Sequence, residues 1–140
     1  QALREQEVRL GLDDIEVYRE FAVWVNRIRE DVLGFIKEQV ARGKKIYVYG
    51  ASTKGTTLLQ YFGLDRTLIT AAAERNPDKW GKETVGTRIP IVSEEEARAA
   101  KPDYFLVLPW HFLEEFRLRE KAYLLSGGKF IVPMPHFTLI

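Results

Sequence analysis

Residues 45–55 read KIYVYGASTKG, in which a short apolar and aromatic run is followed by a turn between two glycines. The run predicts a buried strand, and the residues after the first glycine predict the start of a helix. In an open α/β sheet, such a junction gathers backbone N–H groups that suit a phosphate or another anion. The stretch therefore predicts an α/β protein with an anion-binding turn at residues 50–55.

Strands and helices alternate through the rest of the chain. Short strands are predicted at residues 46–49, 68–73, 89–92, 104–108 and 129–132. Helices are predicted at residues 53–62, 94–100 and 110–125, and residues 76–88 are predicted to be a loop because they hold a proline and two glycines. This alternation is typical of right-handed crossovers and a parallel sheet. We expect a Rossmann-like three-layer α/β sandwich with a parallel sheet of about five strands.

A long helix is predicted in front of the sheet, at residues 13–42. Its apolar residues recur close to the helical period, Asp13 or Asp14 suits its N-cap, and Gly43 suits its C-terminal end. We therefore predict a linker and packing helix within residues 1–43 and a Rossmann-like domain over residues 44–140. Because the chain begins with Gln1 and not with methionine, we expect it to be a piece of a longer polypeptide.

The composition argues against several classes of protein. The chain has 21 basic and 20 acidic residues, so no strong positive field favours nucleic acid. It has no cysteine, which excludes disulfides and thiolate metal sites, and its two histidines do not make a histidine-rich metal site. No apolar run approaches the roughly 20 residues of a membrane span. We expect a cytoplasmic protein that binds no metal, nucleic acid or membrane through this chain.

The turn at residues 50–55 departs from the known nucleotide-binding patterns. Ser52 stands where the dinucleotide fingerprint has its second glycine, so a pyrophosphate could not approach the backbone as closely. The residues after Gly55 are two threonines, whereas a Walker A loop needs lysine there, and this excludes a P-loop NTPase. Ser52 and Thr53 offer hydroxyl groups, and Lys54 adds a charge suited to phosphate. The alternative to an anion-binding turn is a glycine turn with ordinary helix caps and no ligand.

An acidic residue and a tryptophan follow the second predicted strand. Glu74 follows Gly50 at close to the roughly 20-residue spacing at which an acid meets a ribose hydroxyl. Alternatively, Glu74 pairs with a neighbour such as Arg75 or Lys79. Trp80 could stack on a base or pack under a partner domain.

Two aromatic residues, Trp110 and His111, follow the fourth predicted strand and share the same sheet edge. No nucleophile and carboxylate complete a catalytic triad with His111, so no catalytic residue is assigned. His111 has two interpretations. It either donates or accepts a hydrogen bond at a ligand or an interface, or it has a structural role.

Successive motifs of the chain resemble one known family. They are YGASTKG at residues 49–55, ERNPDKWG at 74–81, GTRIPI at 86–91, and PDY with LPWH at 102–104 and 108–111. Their order and spacing, over about residues 44–135, resemble the C-terminal domain of S-adenosylmethionine-dependent C-methyltransferases that act on nucleotide-linked deoxysugars. In that family an aspartate is common where Glu74 stands, so this chain keeps the acid with one more methylene.

The resemblance implies that substrate binding and methyl transfer are carried out by different domains of a longer polypeptide. A nucleotide-sugar would lie between this domain and a central methyltransferase domain, which would hold S-adenosylmethionine and the catalytic base. Zinc would belong to an N-terminal domain, so neither zinc nor S-adenosylmethionine is expected in this chain, and the chain alone should not transfer a methyl group. The residues expected at the nucleotide-sugar are Gly50, Ser52, Thr53, Lys54, Gly55, Glu74, Asn76, Trp110 and His111.

Two functions of other classes stay open. A stand-alone Rossmann-like module could bind NAD, CoA or a related nucleotide as a sensor, although the missing second glycine argues against it. The second open function is that of a structural docking domain with a vestigial site. In that case Lys54 and Glu74 could be replaced without effect on turnover.

Overall fold

The structure is a computed structural model that describes residues 2–140, and it alternates short strands with helices. The helices are α1 (Ala2–Arg9), α2 (Ile15–Ala41), α3 (Thr53–Phe62), α4 (Glu94–Ala99), α5 (Leu113–Arg119) and α6 (Lys121–Leu125). The strands are β1 (Ile46–Tyr49), β2 (Ala71–Glu74), β3 (Ile91–Ser93), β4 (Tyr104–Val107), β5 (Lys129–Val132) and β6 (Thr138–Leu139). Short 3₁₀ turns lie at Pro77–Lys79 and Trp110–Phe112.

The strands of the described residues form one sheet in the order β3-β2-β1-β4-β5-β6. Strands β1 to β5 are parallel, and Tyr47 of β1 pairs with Ala71 on one side and with Phe105 on the other. The mixed α/β class is confirmed, but the sheet has six strands, because β6 adds an antiparallel edge beside β5. Strand β6 was missed because two residues are too short to show an alternating pattern.

Every residue of β1 is buried, because helices cover both faces of the sheet. Ile46 and Val48 belong to one core cluster, which they share with buried residues of α2 and α3. Tyr47 and Tyr49 belong to a second cluster, which contains residues of α4, α5 and α6. Successive residues of a strand point to opposite faces, so the two clusters define three layers. In these layers, α3 covers one face of the sheet and α5 covers the other.

The long N-terminal helix is confirmed, with bounds close to the predicted ones. Asp14 caps α2 by accepting the Glu16 N–H at 2.9 Å, and Gly43 follows the helix end in a left-handed conformation, with φ of 77°. Buried residues occur only in the second half of α2, from Ile28 onward. The shorter helix α1 lies in front of it, within the predicted N-terminal segment of residues 1–43. No helix within residues 2–140 is long and apolar enough to cross a membrane.

The predicted helix at residues 110–125 is wrong as a single element. The chain forms the 3₁₀ turn Trp110–Phe112, then α5, and then α6 after a break at Glu120. The break turns the Glu120 carboxylate into the protein, where it meets Tyr49 and Arg98. Distant residues therefore decide the break, and the helical period did not reveal it.

Two predicted strands begin at the wrong residue. Strand β2 begins at Ala71, because a turn at Asp65 holds the preceding residues, with the Ile69 N–H donating to the Asp65 carbonyl. Strand β3 begins at Ile91, after a bridge between Glu83 and Pro90.

Candidate functional site

A groove opens at the carboxyl edge of the sheet, between β1 and β4. The chain leaves β1 toward one face of the sheet and leaves β4 toward the other, and ligands of open α/β sheets bind at such a change of direction. The groove has a volume of about 480 Å³. Its lining consists of Ser52, Lys54, Thr57, Leu58, Leu108, Pro109, Trp110, His111 and Phe112. The structure thus brings together the glycine turn and the residues after the fourth strand.

The two glycines of the turn have different roles. Gly50 has φ of 88°, a left-handed conformation that favours glycine, and its N–H donates to the Ala73 carbonyl at 2.8 Å. A Cβ atom on Gly55 would lie 3.1 Å from Cδ1 of Leu108. Gly50 therefore makes the turn, and Gly55 lets α3 pack closely against the end of β4.

Ser52 begins α3 and is occupied as its cap. Its Oγ accepts the Gly55 N–H at 3.0 Å, as expected for an N-cap serine. Thr53 and Lys54 are exposed beside it, and Lys54 takes part in none of the ion pairs found within residues 2–140. The first N–H groups of a helix have no partner inside the helix. This end of the groove therefore combines a helix N-terminus with an exposed cation.

The carboxylate of Glu74 joins the glycine turn to the loop after β2. Oε2 accepts the Ala51 N–H at 3.1 Å and the Lys79 ammonium at 3.2 Å. Oε1 accepts the N–H groups of Arg75 at 2.9 Å and Asn76 at 3.0 Å. A carboxylate has about four acceptor positions, so these donors fill them. The pairing with Lys79 agrees with one interpretation of the sequence, whereas Arg75 contributes its backbone only.

Burial alone would raise the pKa of Glu74, but the hydrogen bonds from Asn76, Lys79 and Ala51 outweigh it and lower the pKa below its ordinary value of 4.5. A lowered pKa in the folded state means that the carboxylate stabilises the protein above about pH 4.5. This stabilisation is lost as the pH falls through the folded-state pKa.

We expect Glu74→Gln to lower the free energy of unfolding by about 1–2 kcal/mol, because the amide replaces one acceptor with a donor facing N–H groups. Urea denaturation at pH 7 measures this loss. The difference between the variant and the unmodified chain should shrink as the pH falls from about 4.5 through the folded-state pKa of Glu74, because the side chain is then protonated in both the unfolded and the folded state. A difference that is constant across this pH range would contradict the assigned role.

Five of the nine residues predicted near the substrate lie outside the groove lining: Gly50, Thr53, Gly55, Glu74 and Asn76. Gly50 and Glu74 line a second cleft of about 250 Å³. Asn76 caps the 3₁₀ turn Pro77–Lys79, and its Oδ1 accepts the Asp78 N–H at 3.0 Å. Trp80 donates its indole N–H to the Glu74 carbonyl at 2.8 Å, and the residue is 45% exposed.

The opposite wall of the groove is aromatic. The Trp110 and His111 rings lie 5.1 Å apart between centroids, and the His111 and Phe112 rings lie at the same separation. Phe112 is 52% exposed and lines both clefts, a position that the sequence analysis missed because residue 112 was placed inside a long helix. Within the described residues, no group of three or more acidic or histidine side chains could hold a metal ion.

Comparison with known proteins identifies the family. The family model described as the C-methyltransferase C-terminal domain matches residues 1–135. The C-methyltransferase NovU of Streptomyces niveus is 40% identical to this chain over 130 residues, which cover 93% of the chain and 31% of NovU. The chain therefore spans less than a third of the length of this relative. The chain belongs to the family of C-methyltransferase C-terminal domains.

Proposed function

We propose that this chain is the substrate-binding domain of an S-adenosylmethionine-dependent C-methyltransferase, and that its groove holds a nucleotide-linked deoxysugar. In this proposal residues 44–140 are a Rossmann-like domain, and residues 1–43 contain its linker and packing helix. The observation that carries the proposal is the groove itself. It lies at the change of direction between β1 and β4, and family members are parts of C-methyltransferases.

The two walls of the groove suit the two parts of a nucleotide-sugar. The N-terminus of α3 and the Lys54 ammonium favour an anion, and so provide for the diphosphate. Trp110 and Phe112 offer ring faces and apolar area for a base or a sugar. A volume of about 480 Å³ falls within the usual range of small-molecule sites.

The proposed reaction needs parts that other domains of the parent polypeptide would supply. S-adenosylmethionine would be bound by a separate methyltransferase domain, and zinc by a further domain. This chain would hold the sugar against the methyl donor, and the groove would be completed by the partner domain. We therefore expect the chain alone to bind weakly and to be inactive. We also propose a cytoplasmic location for the enzyme, which fits the absence of cysteine from this chain.

Glu74 is proposed to act by positioning the turn, because its acceptor positions are filled by this chain's own donors. Direct contacts of Glu74 and Asn76 with the substrate stay predictions. Such a contact at Glu74 would require one of the present donors, such as the Lys79 ammonium, to move away.

The test is a titration of the 140-residue chain with a thymidine diphosphate sugar, followed by NMR and by thermal shift. NAD, CoA and S-adenosylmethionine serve as comparison ligands. Shifts confined to residues 50–55, 74–76 and 108–112 with the nucleotide-sugar alone would support the proposal. Preference for NAD or CoA would overturn it in favour of a sensor. Absence of binding, together with unchanged turnover of a Lys54 variant in the parent enzyme, would favour a docking domain.

In the parent enzyme, we expect Lys54→Ala to raise the KM for the nucleotide-sugar by about tenfold, a loss of about 1.4 kcal/mol. The change removes a cation beside the proposed diphosphate site and leaves the S-adenosylmethionine site untouched. Lys37→Ala is the matched control, since Lys37 is an exposed lysine on α2, outside the groove lining. Steady-state kinetics with both substrates measure the effect. An equal loss for both substrates would indicate a folding defect and contradict the assignment.

A further inference from the structure

One face of α2 is buried at one end of the helix and exposed at the other. Its apolar residues are spaced by three or four, so they lie on one side of the helix. They are Tyr18, Phe21, Val25, Ile28, Val32 and Ile36. The last three are buried against the sheet. Tyr18 is 51% exposed and Phe21 is 57% exposed. We name Tyr18, Phe21 and Val25 the outer α2 stripe.

The outer α2 stripe is continuous with the packed core. The Phe21 ring lies 5.6 Å from the Trp24 ring between centroids, and Trp24 packs against the core cluster that contains Ile28. Trp24 also lies 6.4 Å from the His136 ring. The same helix face thus runs from a buried interface into an exposed one, which singly scattered surface residues would not do.

We propose that the outer α2 stripe is the docking surface for the methyltransferase domain of the same polypeptide. The inference rests on the proposed function for the presence of that domain, but not on the choice of sugar. The matched family consists of C-terminal domains, and this chain covers 31% of NovU, so a relative of this kind has most of its chain available as a partner.

The size of the stripe favours a tethered partner over a second copy of the chain. A stable complex between separate molecules buries about 800 Å² on each partner. An aromatic side chain buries roughly 150–250 Å² in all, so the two partly exposed rings of Tyr18 and Phe21 fall short of that area. A domain on the same polypeptide meets the stripe at an effective concentration near the millimolar range, and weak apolar contacts then suffice.

Hydrogen exchange tests the proposal without any ligand. Exchange of the backbone amides is compared between the 140-residue chain and the parent polypeptide, both at low protein concentration. We expect the amides of residues 17–25 to exchange at least about tenfold more slowly in the parent, because docking suppresses local opening of the helix. Equal exchange in the two proteins would overturn the proposal. Slowing in the 140-residue chain alone that grows with its concentration would overturn it in favour of a second copy.

Two serine variants separate docking from a general effect on α2. Phe21→Ser removes a ring of the stripe. Val23→Ser changes a residue that is 63% exposed. Val23 lies about 200° from Phe21 around the helix axis, on the face opposite the outer α2 stripe. We expect Phe21→Ser to abolish the slow exchange in the parent, whereas Val23→Ser should retain it. Equal behaviour of the two variants would contradict docking.

The same variants keep the docking proposal separate from the proposed function. Both changes are at exposed positions, so each should keep the thermal midpoint of the 140-residue chain within a few degrees. The nucleotide-sugar titration concerns the groove. If the chain binds the nucleotide-sugar but amide exchange is equal in the 140-residue chain and the parent, only the docking proposal is overturned. If exchange is slower in the parent but the nucleotide-sugar does not bind, only the substrate assignment is overturned.

Discussion

Glu120→Ala is expected to lower the free energy of unfolding by about 3 kcal/mol. Glu120 is 2% exposed, and its carboxylate accepts the Tyr49 hydroxyl at 2.7 Å and Nε of Arg98 at 2.9 Å. Alanine would leave the buried Tyr49 hydroxyl without this acceptor and remove the inner partner of Arg98. The Arg98 side chain is 40% exposed and keeps Glu94, which limits the loss.

Urea denaturation at pH 7 measures the effect, with Glu115→Ala as the matched control. Glu115 also pairs with an arginine, Arg119, at 3.2 Å, but its side chain is 61% exposed. An exposed pair contributes about 0–1 kcal/mol, so the control should change little. Similar losses in the two variants would contradict a special role for the buried carboxylate.

The effect of Glu120 should also depend on pH. Burial raises the pKa of Glu120, but hydrogen bonds from Arg98 and Tyr49 outweigh it, and the pKa lies below its ordinary value of 4.5. The carboxylate therefore stabilises the fold above about pH 4.5, and this stabilisation is lost as the pH falls through the folded-state pKa. Glu120→Ala should remove that part of the acid sensitivity.

Gly128→Ala is expected to lower the free energy of unfolding by about 2–3 kcal/mol. A Cβ atom on Gly128 would lie 2.2 Å from Cε2 and Cζ of Tyr123. The Tyr123 ring has little freedom to move away, because it packs 4.8 Å from the Phe105 ring and stacks on Phe130. Its hydroxyl also contacts the backbone of Lys129, which is the first residue of β5. The substitution would thus disturb the junction between α6 and the sheet.

The same substitution at Gly34 should raise the free energy of unfolding instead of lowering it. Gly34 lies inside α2, and no atom outside the helix backbone and its chain neighbours comes within 4 Å of a Cβ built there. Alanine is favoured over glycine in a helix by about 1 kcal/mol, so Gly34→Ala should stabilise the chain. Comparing the midpoints of chemical denaturation for the two variants tests both expectations. A loss at Gly34 as large as that at Gly128 would contradict the packing argument.

Elements with strong local signals were predicted well. The bounds of α3 are those expected, because Ser52 caps its start and Gly63 ends it in a left-handed conformation. Ser93 likewise caps α4, with its Oγ accepting the Glu96 N–H at 3.0 Å. Such signals are contained within a few neighbouring residues, so the sequence alone reveals them.

Features that depend on distant residues were missed or left open. The break at Glu120 depends on Arg98 and Tyr49, which are far away in sequence. The occupancy of the Glu74 carboxylate depends on a backbone N–H of the glycine turn. The spacing of Glu74 placed it at the correct sheet edge, but it could not show that the acceptor positions are filled. The exposure of Phe112 in the groove follows from a 3₁₀ turn that the helical pattern concealed.

The two walls of the groove differ in how freely their residues can change during evolution. On the α3 wall, Ser52 serves as a cap and Gly55 has Leu108 within 3.1 Å of its missing Cβ, so most substitutions there disturb the backbone. On the other wall, His111 and Phe112 are exposed at a short turn and can be exchanged at little structural cost. Relatives that differ in substrate should therefore diverge first at residues 111–112, while the turn that faces them stays the same.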